Sequence, residues 1–130
     1  MTDGSYSPTV LVVDDDPRAL KLMQVVLEHA GYRVLIASDG LEAQAKAVSM
    51  SPDLVVADLM MPGMNGIEFC RWVRRSLEGR TPGTMLLTAM DTSDTRLAAA
   101  EAGIDETVTK PFDRSDFLRR LELLLRARRG

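Results

Sequence analysis

Five short apolar runs, at residues 10–13, 34–37, 54–57, 85–87 and, more weakly, 107–109, recur along the chain with helix-forming stretches between them. The runs are apolar at successive rather than alternate positions, the pattern of strands covered on both faces, as in parallel sheets flanked by helices. A βα unit repeated five times and joined by right-handed crossovers gives one doubly wound α/β domain. Its ligand site is expected beyond the carboxyl ends of the strands.

The helical stretches carry their own punctuation. Asp16 is placed to cap the first helix with Pro17 in the first turn; Leu20, Met23, Val26, Leu27 and Ala30 form the inward face, and Gly31 stops it. The second, over about 41–48, is expected to turn Leu41, Ala45 and Val48 inward, and the third follows Gly66 and buries Phe69, Cys70, Val73 and Leu77. The fourth, over 95–102, is alanine-rich with a weak apolar stripe, so it rests on propensity and is expected to be mobile. The last is capped by Asp113 with Asp116 three residues on, faces the sheet with Phe117, Leu121, Leu124 and Leu125, and ends near residue 128.

With 130 residues, 45% hydrophobic and 27% charged, the chain has the composition of one folded domain rather than a disordered segment. Residues 1–8 read as a flexible N-terminal segment and 9–130 as the domain. No apolar run reaches the roughly 18 to 20 residues of a membrane helix, and the opening MTDGSYSP lacks the regions of a signal peptide, so no membrane role and a cytoplasmic location are expected. The single cysteine, Cys70, lies in an apolar helical stripe and reads as buried and inert. The net charge of −3 is too small to imply a nucleic-acid surface. Residues 110–130 hold seven Lys or Arg against three acids, which reads as a solvated helix whose basic end complements its dipole, without direct nucleic-acid binding.

The strand ends carry the chemistry. Asp14, Asp15 and Asp16 close the first strand, Asp58 the third, Thr88 the fourth, and Lys110-Pro111 the fifth, all on one edge of the sheet. Taken singly, each has an ordinary structural explanation: a helix cap, a strand-end hydroxyl, a surface charge. Together they are harder to explain so. Two carboxylates about 4 Å apart repel by about 4 kcal/mol at an effective dielectric of 20, so Asp14, Asp15 and Asp58 call for a cation. An all-oxygen donor set without His or Cys favours a hard ion such as Mg2+, with Mn2+ an alternative. A carboxylate nucleophile beside such an ion, with a hydroxyl and an ammonium at hand, has the parts phosphoryl transfer requires.

The stretches VLVVDDDP at 10–17, DLVVADLMMPGMNG at 53–66, LLTA at 86–89 and AGIDETVTKPF at 102–112 resemble the receiver domain of two-component response regulators, over essentially the whole chain. The resemblance implies a flavodoxin-like (βα)5 fold with strand order 2-1-3-4-5, an order for which a member of this family is itself a standard example. It further implies that Asp58 is the phosphoacceptor. Asp15, Asp58 and the backbone carbonyl of Met60 would bind Mg2+, with Asp14 acting through a metal-bound water. Thr88 and Lys110 would engage the phosphoryl oxygens, and the Lys110–Pro111 bond would be cis. The implied donor is a phosphohistidine on a sensor histidine kinase or a phosphotransfer protein, the receiver of the signal is an unspecified downstream protein, and a homodimer is left open. Self-phosphorylation and dephosphorylation, not turnover, are expected.

Two departures from the family pattern stand out. Thr107 occupies the position three residues before the lysine where an aromatic switch residue is usual, and Asn65 stands where Asp is common. Met60 and Met90, two residues beyond Asp58 and Thr88, occupy the positions that tune hydrolysis in the family, and neither side chain can orient a water. Other readings fit less well. An Asp-dependent phosphohydrolase usually shows D-x-D at the end of strand one, whereas the nucleophile candidate here lies on strand three; a receiver-like docking module would lack part of the Asp14, Asp15, Asp58, Thr88, Lys110 set, and a flavodoxin-like cofactor carrier would not place acidic residues where a phosphate binds. His29 has no metal or catalytic partners in the sequence pattern.

Overall fold

A computed structural model of the chain describes residues 7–77 and 79–129. Residues 1–6 of the expected flexible segment, and Gly130 at the other end of the expected domain, lie outside the described residues. The elements are β1 (Thr9–Val13), α1 (Pro17–His29), β2 (Arg33–Ala37), α2 (Gly40–Met50), β3 (Leu54–Asp58), α3 (Gly66–Ser76), β4 (Gly83–Thr88), α4 (Ser93–Glu101), β5 (Glu106–Thr109) and α5 (Arg114–Arg129). The strands form one sheet in the order β2-β1-β3-β4-β5, every pair parallel, as the resemblance implies.

Successive side chains on a strand point to opposite faces, and the core divides accordingly. Val10 and Val12 of β1, Leu54 and Val56 of β3, and Met85 and Leu87 of β4 pack under α1 and α5 with Leu20, Leu27, Phe117 and Leu121. Leu11 and Val13 of β1, with Val55 and Ala57 of β3, pack on the other face under α2 and α3 with Ala43, Ala47, Phe69 and Val73. A smaller cluster joins Leu86 of β4 to Leu59, Ile67, Ala99 and Ala102 beneath α4. The central strands β3 and β4 are buried at every position, whereas the edge strands β2 and β5 are not, which is why the fifth run is weak in the sequence. Cys70 is fully buried against the α2–α3 face, and burial pushes its thiol up to about 12.

Two helix faces differ from the sequence reading. On α2 the inward residues are Gly40, Ala43 and Ala47, while Leu41 is 74% and Val48 52% exposed, and Ala45 is exposed too. Small side chains let this helix lie close to its neighbours: a Cβ on Gly40 would come within 2.7 Å of Met64 Sδ. The cap sets its rotation, with Asp39 Oδ1 accepting from Glu42 N at 2.8 Å and Ser38 N donating to Glu42 Oε1 at 2.7 Å. On α1, Leu20 and Leu27 are buried and Met23 and Val26 half-buried, but Ala30 is exposed as the C-cap. Gly31 (φ +99°) turns the chain out of α1, with Tyr32 N donating to Leu27 O at 3.1 Å. The fourth helix begins at Ser93 rather than residue 95, because Thr92 caps it through Thr95 N. Among the described residues, no helix is long and apolar enough to cross a membrane.

The opposite edge of the sheet is locked by aspartates that the sequence reading did not single out. Asp53 Oδ2 accepts from Thr9 N at 2.8 Å, and Asp105 Oδ2 accepts from Thr84 N at 2.9 Å and from its hydroxyl at 3.2 Å. These bonds fix the strand starts and leave the carboxyl ends free for chemistry. The basic C-terminal helix is laced with ion pairs: Arg120 bridges Glu106 (3.0 Å) and Asp116 (2.9 Å), Arg119 pairs with Asp116, and Arg126 with Glu122 (3.0 Å). Being partly or largely exposed, such pairs contribute about 0–1 kcal/mol each; only Arg120–Glu106 ties β5 to α5, the others lying within the helix.

Candidate functional site at the carboxyl ends of the strands

Parallel register carries four chain segments to one place. Asp14 follows the last residue of β1, its N–H donating to Ala37 O of the neighbouring β2 at 3.1 Å. Asp58 ends β3, and the next amide, Leu59 N, donates to Leu87 O at 2.9 Å. Thr88 ends β4, and Lys110 N, just past β5, donates to Thr88 O at 2.7 Å. The ladder therefore continues one residue beyond the strands and holds the polar side chains at one level.

Asp14, Asp15 and Asp58 each offer a carboxylate oxygen within 4.8 Å of the others. Asp14 and Asp58 are only 8% exposed, while Asp15 is open to solvent. Burial, with the nearby charges of Asp58 and Asp15, raises the pKa of Asp14 above the usual carboxylate range, although a hydrogen bond from Asp16 N at 2.9 Å and the charge of Lys110 oppose the rise. Lys110 Nζ forms an ion pair with Asp58 Oδ1 across 52 residues of sequence, and Asp58 Oδ2 accepts from Met60 N at 3.1 Å. One ammonium set against three carboxylates leaves a net negative pocket. Its donors are all oxygens, and together with its openness at Asp15 this fits a hard divalent cation.

The remaining expected residues fall around this cluster. The Lys110–Pro111 bond is cis. Thr88 is 2% exposed, and its hydroxyl is occupied locally, accepting from Met90 N at 2.8 Å and lying 3.4 Å from Met90 O. The hydroxyl makes no bond to Asp58 or Lys110 in this arrangement, and donating to a ligand oxygen requires its proton to turn away from Met90 O. Met60 and Met90 are 63% and 45% exposed. Thr107 is half-buried on β5, in register with Leu86. His29 is exposed in the last turn of α1. Beside Asp14 and Lys110 opens an apolar cavity of about 320 Å³, walled by Leu22, Met23 and Val26 of α1 and by Phe112.

Two residues named in the sequence, Gly66 and Asn65, shape the site in ways that the sequence reading did not foresee. A Cβ on Gly66 would collide with the backbone carbonyl of Asp58 and come within 2.8 Å of Leu86 Cδ1, so α3 starts against the end of β3 only because position 66 lacks a side chain. Asn65, noted in the sequence only as a departure from the family pattern, is the N-cap of α3. Its side chain accepts from Glu68 N while Glu68 Oε1 accepts from Asn65 N, both at 2.9 Å, in a capping box that fixes the start of α3. The N-x-x-E spacing at 65–68 was the available signal.

Residues 10–122 match the family model described as the response regulator receiver domain. The chain belongs to that family. This receiver is 39% identical over 119 residues to the DNA-binding dual master transcriptional regulator RpaA of Synechocystis sp., a match covering 92% of this chain and 49% of that protein. The receiver thus spans about half the length of the curated relatives it matches. Among solved structures it resembles the chemotaxis protein CheY4 of Vibrio cholerae (TM-score 0.86, 30% identity, covering 92% of this chain and 99% of that one). It also resembles the receiver domain of the sensor histidine kinase PA1611 of Pseudomonas aeruginosa, solved with a magnesium ion coordinated in the active site cleft (TM-score 0.82, 28% identity, 92% and 98% covered). As a receiver, the chain is a signalling module, the phosphoacceptor of a two-component system rather than a turnover enzyme, and Asp14, Asp15 and Asp58 form its acidic pocket.

Proposed function

We propose that this receiver takes a phosphoryl group from a phosphohistidine of a sensor histidine kinase or phosphotransfer protein onto Asp58, in a Mg2+-dependent reaction. The observation that carries the assignment is the ion pair between Lys110 and Asp58 inside a cluster of three carboxylates at one sheet edge. Asp58 is the one member of the cluster that meets a fixed cationic side chain as well as a backbone donor from Met60.

Asp15, Asp58 and the carbonyl of Met60 would hold Mg2+, with Asp14 reaching it through water; the magnesium in the PA1611 receiver supports the choice of ion. Once bound, the ion would neutralise charge on the transferring oxygens. The protein's own groups do the rest. Asp58 supplies the nucleophilic oxygen, Lys110 moves its charge from the carboxylate to the incoming phosphoryl group, and Thr88 releases Met90 and donates its hydroxyl to a phosphoryl oxygen. Because Thr88 leads directly into the loop capped at Thr92, that release repositions the start of α4. The apolar cavity beside Asp14 and Lys110, with Leu22 and Val25 exposed on α1, offers a donor protein an apolar seat next to the acceptor. A cytoplasmic location and an unnamed downstream protein complete the reading.

Incubation with acetyl phosphate and Mg2+, followed by intact mass, tests the assignment. Wild type is expected to gain one phosphoryl group and Asp58→Ala none; equal uptake by both would remove Asp58 from this role.

A further inference from the structure

Methionines occupy two of the three positions whose backbone amides donate to the site's own side-chain oxygens, the third being Asp16. Met60 N donates to Asp58 Oδ2 at 3.1 Å and Met90 N to Thr88 Oγ1 at 2.8 Å. Each Cα is about 1.46 Å from its nitrogen, so both side chains leave the backbone next to the acceptor carboxylate and its hydroxyl partner. Both side chains stand in solvent, at 63% and 45% exposure. Met61 and Met85, by contrast, are buried at 7% and 1%, and Met23 and Met64 are packed against the core. Met50, 55% exposed, ends α2 where the chain enters β3, at the far edge of the sheet from the site.

We propose that Met60 and Met90 are an oxidation site through which a peroxide shortens the life of the phosphoryl group. This rests on Asp58 being the phosphoacceptor. The oxidant is hydrogen peroxide or an organic hydroperoxide. A sulfur lone pair attacks one peroxide oxygen, the S–O bond forms as the O–O bond breaks, and the departing oxygen takes up a proton to leave as water or an alcohol. Sulfur loses two electrons and the peroxide gains them. The product, methionine sulfoxide, is polar where the thioether was apolar.

That change matters at these two positions because hydrolysis of an aspartyl phosphate needs a water held in line with the phosphorus. A thioether is a weak acceptor and places no water, whereas a sulfoxide oxygen accepts a strong hydrogen bond from one. A neutral hydrogen bond made in the transition state corresponds to an acceleration of about two- to thirteenfold.

The test begins with protein phosphorylated by acetyl phosphate and Mg2+ and then freed of donor. Loss of the phosphoryl mass is followed for untreated and peroxide-treated samples, and peptide mapping locates the added oxygen. The expected result is sulfoxide at Met60, Met90 and Met50, decay faster by about two- to thirteenfold, and recovery of the slow decay after methionine sulfoxide reductase. In the double variant Met60→Leu, Met90→Leu, peroxide still oxidises Met50, and the ratio of treated to untreated decay rates is expected to fall to one. Unchanged decay with both sulfoxides present, or acceleration that survives in the double variant, overturns the proposal. If untreated protein takes up no phosphoryl group at all, the phosphoacceptor reading falls and this inference with it.

Discussion

Asp58 is held from two directions, by Lys110 at one oxygen and by Met60 N at the other, and its own backbone is pinned by the absence of a side chain at Gly66. The third constraint is the least visible and has a sharp consequence. Gly66→Ala must push α3 away from β3 or displace the Asp58 carbonyl, because neither Leu86 nor a backbone carbonyl can withdraw without moving packed neighbours. Overpacking of this kind costs about 1–3 kcal/mol, and small displacements at a reacting centre cost about 10- to 100-fold in rate. The variant is therefore expected to keep its circular dichroism spectrum, melt at a lower temperature and accept phosphate from acetyl phosphate at least about tenfold more slowly. Wild-type rate and melting temperature together would show that position 66 has room to spare.

The elements differ in how plainly they declare themselves. β1, β3 and β4 were legible because a strand covered on both faces must be apolar at every position, and they are buried accordingly. The phase of α2 was not legible. Its contact face is built from Gly40, Ala43 and Ala47, while its larger apolar residues, Leu41 and Val48, face solvent, so a reading weighted by side-chain size points the wrong way. The polar site was legible through the strand ends; the local hydroxyl contact of Thr88 was not, since it depends on how the β4–α4 loop closes. The same face carries the missing aromatic. Thr107 pairs with Leu86, which packs with Ala98 and Ala99 of α4 and with its C-cap Ala102, so the side chains around this position are small. Thr107→Tyr is expected to leave uptake of the phosphoryl group intact while changing the affinity for the downstream partner. Indistinguishable binding curves for the two phosphorylated proteins would argue against a switching role for this position.

At the scale of the molecule, the two edges of the sheet have opposite jobs. One edge is closed by Asp53 and Asp105, each satisfied by backbone donors, and the other gathers Asp14, Asp15 and Asp58 with a single compensating ammonium. The carboxyl-end edge is thus left with excess negative charge that a divalent cation can offset before a phosphoryl group adds more. The central claim is that these carboxylates, Thr88 and Lys110 respond as one unit. The most direct measurement is a pair of amide 1H–15N spectra, with and without beryllofluoride and Mg2+, for wild type and Asp58→Ala. In wild type, the resonances of Asp14, Asp15, Asp58, Thr88 and Lys110 are expected to shift together with those of the loop leading into α4, and in Asp58→Ala none should. Spectra left unchanged in wild type would contradict the account.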